Sequence, residues 1–178
     1  MTTNTNTDIL AFFSRSKDLP AGKGANEYVE NPELYKELDS IPNWRKVLSN
    51  FHVSTESFSY ENNTYRTIEH AFQAAKIALV DPVKAYTFSV ESGSELGVNG
   101  TGLDAQKHRK MVILTKDQLA EWNLIKDKVM KDAAISKYNA CELSRKVLKA
   151  TNQAKLMHIM SRQKPVHFIH LEEIRETL

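Results

Sequence analysis

A single cysteine, Cys141, stands in 178 residues, so no disulfide can form within the chain and a thiolate zinc cluster is excluded. A reducing, cytoplasmic setting is the expectation that follows. No stretch approaches the roughly 20 consecutive apolar residues that span a bilayer, so no membrane partner is expected. The N-terminus is rich in Thr and Asn and has no basic segment ahead of a long apolar run, which does not read as a signal peptide. The excess of one sign of charge is small as well. The formal net charge is +2, too mild for a surface that tracks phosphates along a strand. Residues 1 to 43 hold four basic and seven acidic side chains, hence −3, which leaves +5 for the rest, enough to suit an anionic small ligand.

Glycine is confined to two places. Gly22 and Gly24 flank Lys23 in Pro20-Ala21-Gly22-Lys23-Gly24, while Gly93, Gly97, Gly100 and Gly102 share the stretch from Ser92 to Leu103. The first has neither the spacing nor the following Ser or Thr of a phosphate-binding Walker loop and reads as a flexible surface turn. The second reads as a loop that needs unusual backbone angles or the close approach of another group. Asp104 is expected to cap the helix beyond it, on which Lys107, His108, Arg109 and Lys110 ride, an arrangement able to hold a phosphate.

What is present is mostly helical pattern. Residues 1–8 read as a disordered tail and residues 9–178 as one domain without repeats or linkers. Ile9 to Phe13 is a short strand candidate. Asn31-Pro32-Glu33 starts a helix that should run to about Asp39, and Asp81-Pro82 starts another that should end near Glu91. Residues 52 to 66 read as a hairpin turning at Glu61-Asn62-Asn63. Thr115-Lys116-Asp117-Gln118 is a capping box opening the longest helix, with Leu119, Trp122, Ile125, Val129, Met130 and Ala133 expected in the core as far as about Tyr138. Helices are expected over 142 to 150 and 152 to 162, a β-prone segment at Val166 to Leu171, and a terminal turn. The fold class expected is α+β, mostly α-helical, with a few short strands.

Residues 67 to 79 are the centre of this pattern. At about 100° per residue, Ile68, Ala71, Phe72, Ala75, Ala78 and Leu79 form one apolar arc, bordered by a stripe of Glu69, Gln73 and Lys76. Such a stripe would line a pocket wall. An acid in the first turn, a base in the last and Thr67 as N-cap are also what any solvated helix favours.

Other chemistries find little support. His167 and His170 would lie on opposite faces of a strand, and no His-Glu-x-x-His accompanies them, so no metal site is expected. The chain has no Gly-x-Ser-x-Gly for a serine hydrolase, and nothing beside Cys141 argues for a reactive thiolate.

The string Glu69-His70-Ala71-Phe72-Gln73-Ala74-Ala75-Lys76, preceded by Leu48-Ser49-Asn50-Phe51, resembles the signature of the NADAR (YbiA-like) family. Residues 9 to 27, Trp44-Arg45-Lys46, Ser94-Glu95-Leu96-Gly97, the basic helix, and Trp122 with Lys126-Asp127 follow in the family's order. One segment departs: many members end in a motif resembling Tyr-Trp-Gly-x-Gly, where this chain has Lys155-Leu156-Met157-His158 and Arg162 before Pro165, as in a subgroup variant.

The resemblance implies a compact YbiA-like domain and a hydrolase of N-glycosyl bonds that needs no cofactor. Its substrate would be an ADP-ribose or ribosyl-phosphate unit joined to a base, either on an ADP-ribosylated nucleobase, free or within a nucleic acid, or in a riboflavin-pathway intermediate. Glu69 is then the candidate to stabilise the oxocarbenium-like transition state or to handle protons. A lysine, Lys76 or Lys23, would attack C1′ of the opened sugar and hold it as a Schiff base. Asn50 and Gln73 are candidates for polar contacts, Phe51 or Trp44 for stacking, Arg45 and the loop at Gly97 for phosphate, and Trp122 with Asp127 for the pocket wall. Core packing accounts equally well for Trp122 and Phe51. A binding module that recognises ADP-ribose without turnover is the alternative.

Overall fold

The computed structural model describes residues 6–178. In chain order it holds β1 (Ile9–Phe12), a 3₁₀ turn (Pro32–Tyr35) running into α1 (Lys36–Asp39), α2 (Trp44–Val47), β2 (Phe58–Tyr60), β3 (Asn63–Tyr65), α3 (Ile68–Ala78) and α4 (Pro82–Tyr86). A 3₁₀ turn (Val90–Ser92), α5 (Glu95–Asn99), α6 (Gly102–Lys107), a further 3₁₀ turn (His108–Met111), α7 (Lys116–Ala140), α8 (Glu142–Ala150), β4 (Lys155–His158), β5 (Val166–His167) and α9 (Ile169–Arg175) complete it. The class is α+β and mostly helical, with short strands in two small sheets. No helix among the described residues is long and apolar enough to cross a membrane.

The described residues fall into two compact units. The first comprises those up to Ser49 together with Leu143–Leu178; the second is Asn50–Glu142. In the first, β1 pairs in parallel with β4, Ile9 opposite Lys155 and Phe12 opposite His158, and β4 pairs antiparallel with β5. Leu10, Phe12, Leu38, Leu48, Val147, Leu148, Leu156 and Leu171 are buried in it. Of the tail expected at residues 1–8, residues 1–5 lie outside the described residues. Asp8, by contrast, is buried, accepting from the Tyr35 hydroxyl at 2.6 Å and from Glu30 N at 2.9 Å.

The helix expected over 152 to 162 is instead strand β4. Asn152 takes a left-handed turn (φ 50°), and the backbone beyond it finds partners along β1 and the residue before it: Lys155 N donates to Asp8 O and Ile159 N to Phe12 O, both at 2.9 Å. Pairing with a strand from the far end of the chain overrides a weak local preference. β5 is likewise shorter than the β-prone run, and α9 takes over from Ile169.

The loop around Lys23 is pinned rather than flexible. Glu27 folds back beneath it, its Oε2 accepting from Gly22 N at 2.9 Å and Gly24 N at 3.0 Å, and its Oε1 from Ala11 N at 3.1 Å.

In the second unit α3 packs against α4, α6 and α7, and the β2–β3 hairpin lies on α7. The hairpin turns at Glu61, whose φ of 51° is left-handed, and Asn62, with Asn63 already paired. α7 begins at the expected capping box, Gln118 N donating to Thr115 Oγ1 and Thr115 N to Gln118 Oε1, and runs to Ala140. Trp122, Val129 and Ala133 are buried along it as expected; Leu119, expected in the core, is exposed, and Lys137 is fully buried one turn from the C-terminal end.

The glycine stretch expected as a loop is two short helices. Asp104 stands at the third position of α6, where it completes a capping box with the true cap, Thr101. Gly97 is there for proximity, because a Cβ on it would lie 2.0 Å from the Ser89 carbonyl oxygen. Gly97→Ala is therefore expected to destabilise by about 3 kcal/mol: overpacking against backbone outweighs the roughly 1 kcal/mol that alanine gains as a helix former. Urea denaturation checks this, and a neutral or stabilising result would show that the segment can move.

Candidate active site

α3 starts where the sequence places it. Thr67 caps it, accepting from His70 N at 3.0 Å, and its hydroxyl lies 2.7 Å from His70 Nδ1. His70 Nε2 is 3.0 Å from the Leu96 carbonyl, which can only accept, so Nε2 carries the proton and Nδ1 receives the Thr67 hydroxyl. Burial lowers the pKa of this imidazole, which favours its neutral form. His70 thus ties the first turn of α3 to α5.

The buried face of α3 is broader than the expected arc. Ile68 and Ala71 are buried, but Ala78 is exposed and Phe72, Ala75 and Leu79 are only half-buried. Glu69, His70, Gln73, Ala74 and Ile77 are buried in their place. The polar stripe does not border the core: its first two members lie within it. Glu69 is 8% exposed and Gln73 5%.

Glu69 is fixed on two sides. Its backbone N–H donates to the Asn50 carbonyl at 3.0 Å, and its Oε1 accepts from Gln73 Nε2 at 2.8 Å. Burial pushes its pKa up; the Gln73 hydrogen bond and the positive charges of Arg109 and Lys76 pull the other way without prevailing. A carboxyl so placed holds its proton more tightly than a surface glutamate. On the two residues bonded to Glu69, the side-chain acceptors Gln73 Oε1 and Asn50 Oδ1 have no hydrogen-bond partner in the protein although solvent does not reach them. The Gln73 amide is oriented by its bond to Glu69, which directs Oε1 away from the carboxyl.

The remaining expected residues divide between the units. In the second, Lys76 is half-buried on the last turn of α3. Phe51 packs on the first residue of α6, where a Cβ at Gly102 would come within 2.4 Å of the Phe51 Cα. Trp122 is buried edge-on against Phe72, ring centroids 4.8 Å apart at 68°. Asp127 is exposed on α7, and Gly97 is buried by the packing described above.

Lys23, Trp44 and Arg45 belong to the first unit. Lys23 is exposed on the pinned loop. Arg45, expected at phosphate, is occupied: it is buried and donates from Nε to Glu27 Oε1 at 2.8 Å, from Nη2 to Glu27 Oε2 at 2.7 Å and Pro20 O at 2.9 Å, and from Nη1 to Leu19 O. Trp44, expected to stack on a base, is buried with the Arg45 guanidinium 4.1 Å from its ring centroid. Sequence reading gave Arg109 no place beside Glu69; the only signal for it was its membership in the basic run after α6.

No protein-family model matches the chain, and no curated protein sequence matches it. Among solved structures, the Escherichia coli protein YbiA is similar to it, with a TM-score of 0.56 and 23% sequence identity over 75% of this chain and 77% of that one. The helices that carry Glu69, Gln73, Lys76 and Trp122 are therefore parts of a YbiA-like α+β fold.

Proposed function

We propose that the protein is a NADAR-type N-glycosidase that hydrolyses the bond between ribose C1′ of an ADP-ribose or ribose-phosphate unit and a base. The observation that carries this reading is Glu69: a buried carboxyl of raised proton affinity, held by Gln73 and flanked by Lys76 and Arg109. The YbiA-like fold and the ordered motifs support it.

Glu69 in its acid form gives its proton to the leaving nitrogen as the C1′–N bond breaks, and the base departs neutral. The carboxylate left behind faces the positive charge that develops at C1′. Water then adds to C1′ and returns a proton to Glu69, which restores the starting state. Lys76 and Arg109 offset the negative charge of the substrate's phosphate. In a covalent variant of the reaction, the amine that attacks C1′ is that of Lys76, whose charge acts on Glu69.

The test incubates wild type and Glu69→Gln with ADP-ribosylated guanosine and, separately, with the ribosylamino pyrimidine phosphate of riboflavin synthesis, following base release by mass spectrometry. Wild type is expected to release base from one of them, and a folded Glu69→Gln protein to lose at least about 100-fold, the usual scale for a general acid. Full activity in Glu69→Gln would remove Glu69 from the chemistry. Absence of turnover, together with a rise in melting temperature on adding free ADP-ribose, would make the chain a binding module.

A further inference from the structure

Three runs of four or more apolar residues occur in the chain, and two of them are packed. Leu10, Ala11 and Phe12 of the first are buried in β1, and Ile77 anchors the second on α3. The third, Met111-Val112-Ile113-Leu114, joins the last 3₁₀ turn to α7. None of its residues is buried, and Ile113 is 89% exposed. A continuous apolar segment held in water is unfavourable in a way that a single exposed leucine is not, and it marks a surface that meets a partner. Both ends of the loop are tied down. Lys84 Nζ on α4 donates to the Met111 carbonyl at 3.2 Å, and beyond Leu114 the Gln118 side chain donates to the Leu79 carbonyl at 2.9 Å. A segment anchored in this way loses little freedom on binding.

The charge around this loop is of one sign. Lys107, Arg109, Lys110 and Lys116 flank it, all exposed, Lys84 stands at its base, and residues 105–116 contain no acid. The nearest acids lie outside the run: the Asp104 carboxylate accepts from Thr101, Asp81 sits 4.0 Å from Lys84, and Asp117 is in the first turn of α7. Four consecutive side chains cannot share one face of a helix or strand, so the run suits a soft medium that receives them from several directions better than a flat protein face. With cations on either side, that medium has an anionic border, which is the build of a bilayer interface. We propose that residues 107–116 dock the protein on the surface of an anionic membrane, Met111 to Leu114 entering the interface and the flanking lysines meeting lipid phosphate and carboxylate groups. Such a contact needs no spanning helix, and it replaces the expectation of no membrane partner drawn from the lack of one. Arg109 lies in the same run and its charge acts on Glu69, so the docked face adjoins the candidate active site.

Flotation of the protein with vesicles tests this, one set of phosphatidylcholine alone and one of equal parts phosphatidylcholine and phosphatidylserine. Wild type is expected to bind the anionic vesicles at least about tenfold more tightly than the neutral ones, each lysine near the surface adding to the attraction. Ile113→Ser, which leaves the charge unchanged, and Lys110→Glu/Lys116→Glu are each expected to weaken that binding about tenfold or more. Both alter exposed side chains, so their melting temperatures should match that of wild type. Equal binding to both kinds of vesicle, or binding to neither, would overturn the assignment. So would unchanged binding by Ile113→Ser, which would reduce the contact to surface charge alone. Sedimentation of the protein by itself covers the other occupant: a dimer that Ile113→Ser dissociates would assign the loop to a second copy of the chain and overturn the membrane contact. Each of these failures leaves the glycosidase reading standing, because base release is measured on soluble substrates.

Discussion

Arg45→Met is expected to lower the stability of the protein by about 3–5 kcal/mol, because it strands a carboxylate that the fold has removed from water. The side chains of Arg45 and Glu27 are 3% and 0% exposed, and they meet in a two-pronged ion pair. Desolvating both charges offsets most of their mutual attraction, so the intact pair adds little beyond what well-packed apolar side chains would give. Removing one partner is different: Glu27 keeps three backbone N–H donors but no cation. The double variant Glu27→Met/Arg45→Met is expected to recover part of that loss. Urea denaturation of the two single variants and the double reads both effects, and additive losses would show that the two groups are independent. The loop bearing Lys23 should loosen in each variant, since Glu27 is what holds its amides.

The second large effect concerns pH. Lys137 is fully buried on α7, and burial lowers its pKa to about 7, with only a partial opposing pull from Cys141. Burial and the Lys137 charge together lower His52 to about 4, so that imidazole stays neutral throughout. The unfolded chain keeps the Lys137 proton up to about pH 10.4, whereas the folded protein releases it near 7. Over that window the unfolded state binds more protons, so stability rises with pH, by up to about 1.4 kcal/mol per unit. The destabilisation is fully present below pH 7 and is relieved on the way up. Tyr35 and Tyr138, whose pKa values burial raises, reverse the trend only above about pH 10, where unfolded tyrosines ionise. Lys137→Met should flatten the rise in melting temperature between about pH 7 and pH 9.5. An unchanged slope in the variant would place the titrating group elsewhere.

Local signals made much of the fold legible. Thr115 with Gln118, Asn31 with Pro32 and Thr67 each announce a helix through chemistry contained within four residues, and each does start one. Residues 152 to 162 failed for the opposite reason: the partners of Lys155 and Ile159 lie on β1, and nothing near them in sequence says so. The glycine stretch was half legible. A close approach was foreseeable, but not that the Ser89 carbonyl and the distant Phe51 would be the groups approaching Gly97 and Gly102. At the site, the i, i+4 spacing of Glu69 and Gln73 gave their contact. Their depth was not legible, because the second side of α3 is covered by residues far away in the chain. Arg45 misled by its type: a guanidinium beside Trp44 suggests an anion, and the anion is Glu27.

The arrangement of β1 and β4 bears on the order in which the chain can fold. Ile9 and Lys155 are neighbours across a parallel ladder yet lie near opposite ends of the sequence, so that ladder must await synthesis of the C-terminal part. Residues 50–142 form an uninterrupted unit whose helices rely on nearby partners. During translation this middle segment can reach its structure while the first strand remains without its ladder partner, its backbone amides open to other chains. The barrier to closing the outer unit is set by loop entropy over most of the polypeptide, a slow step of the kind expected for high contact order.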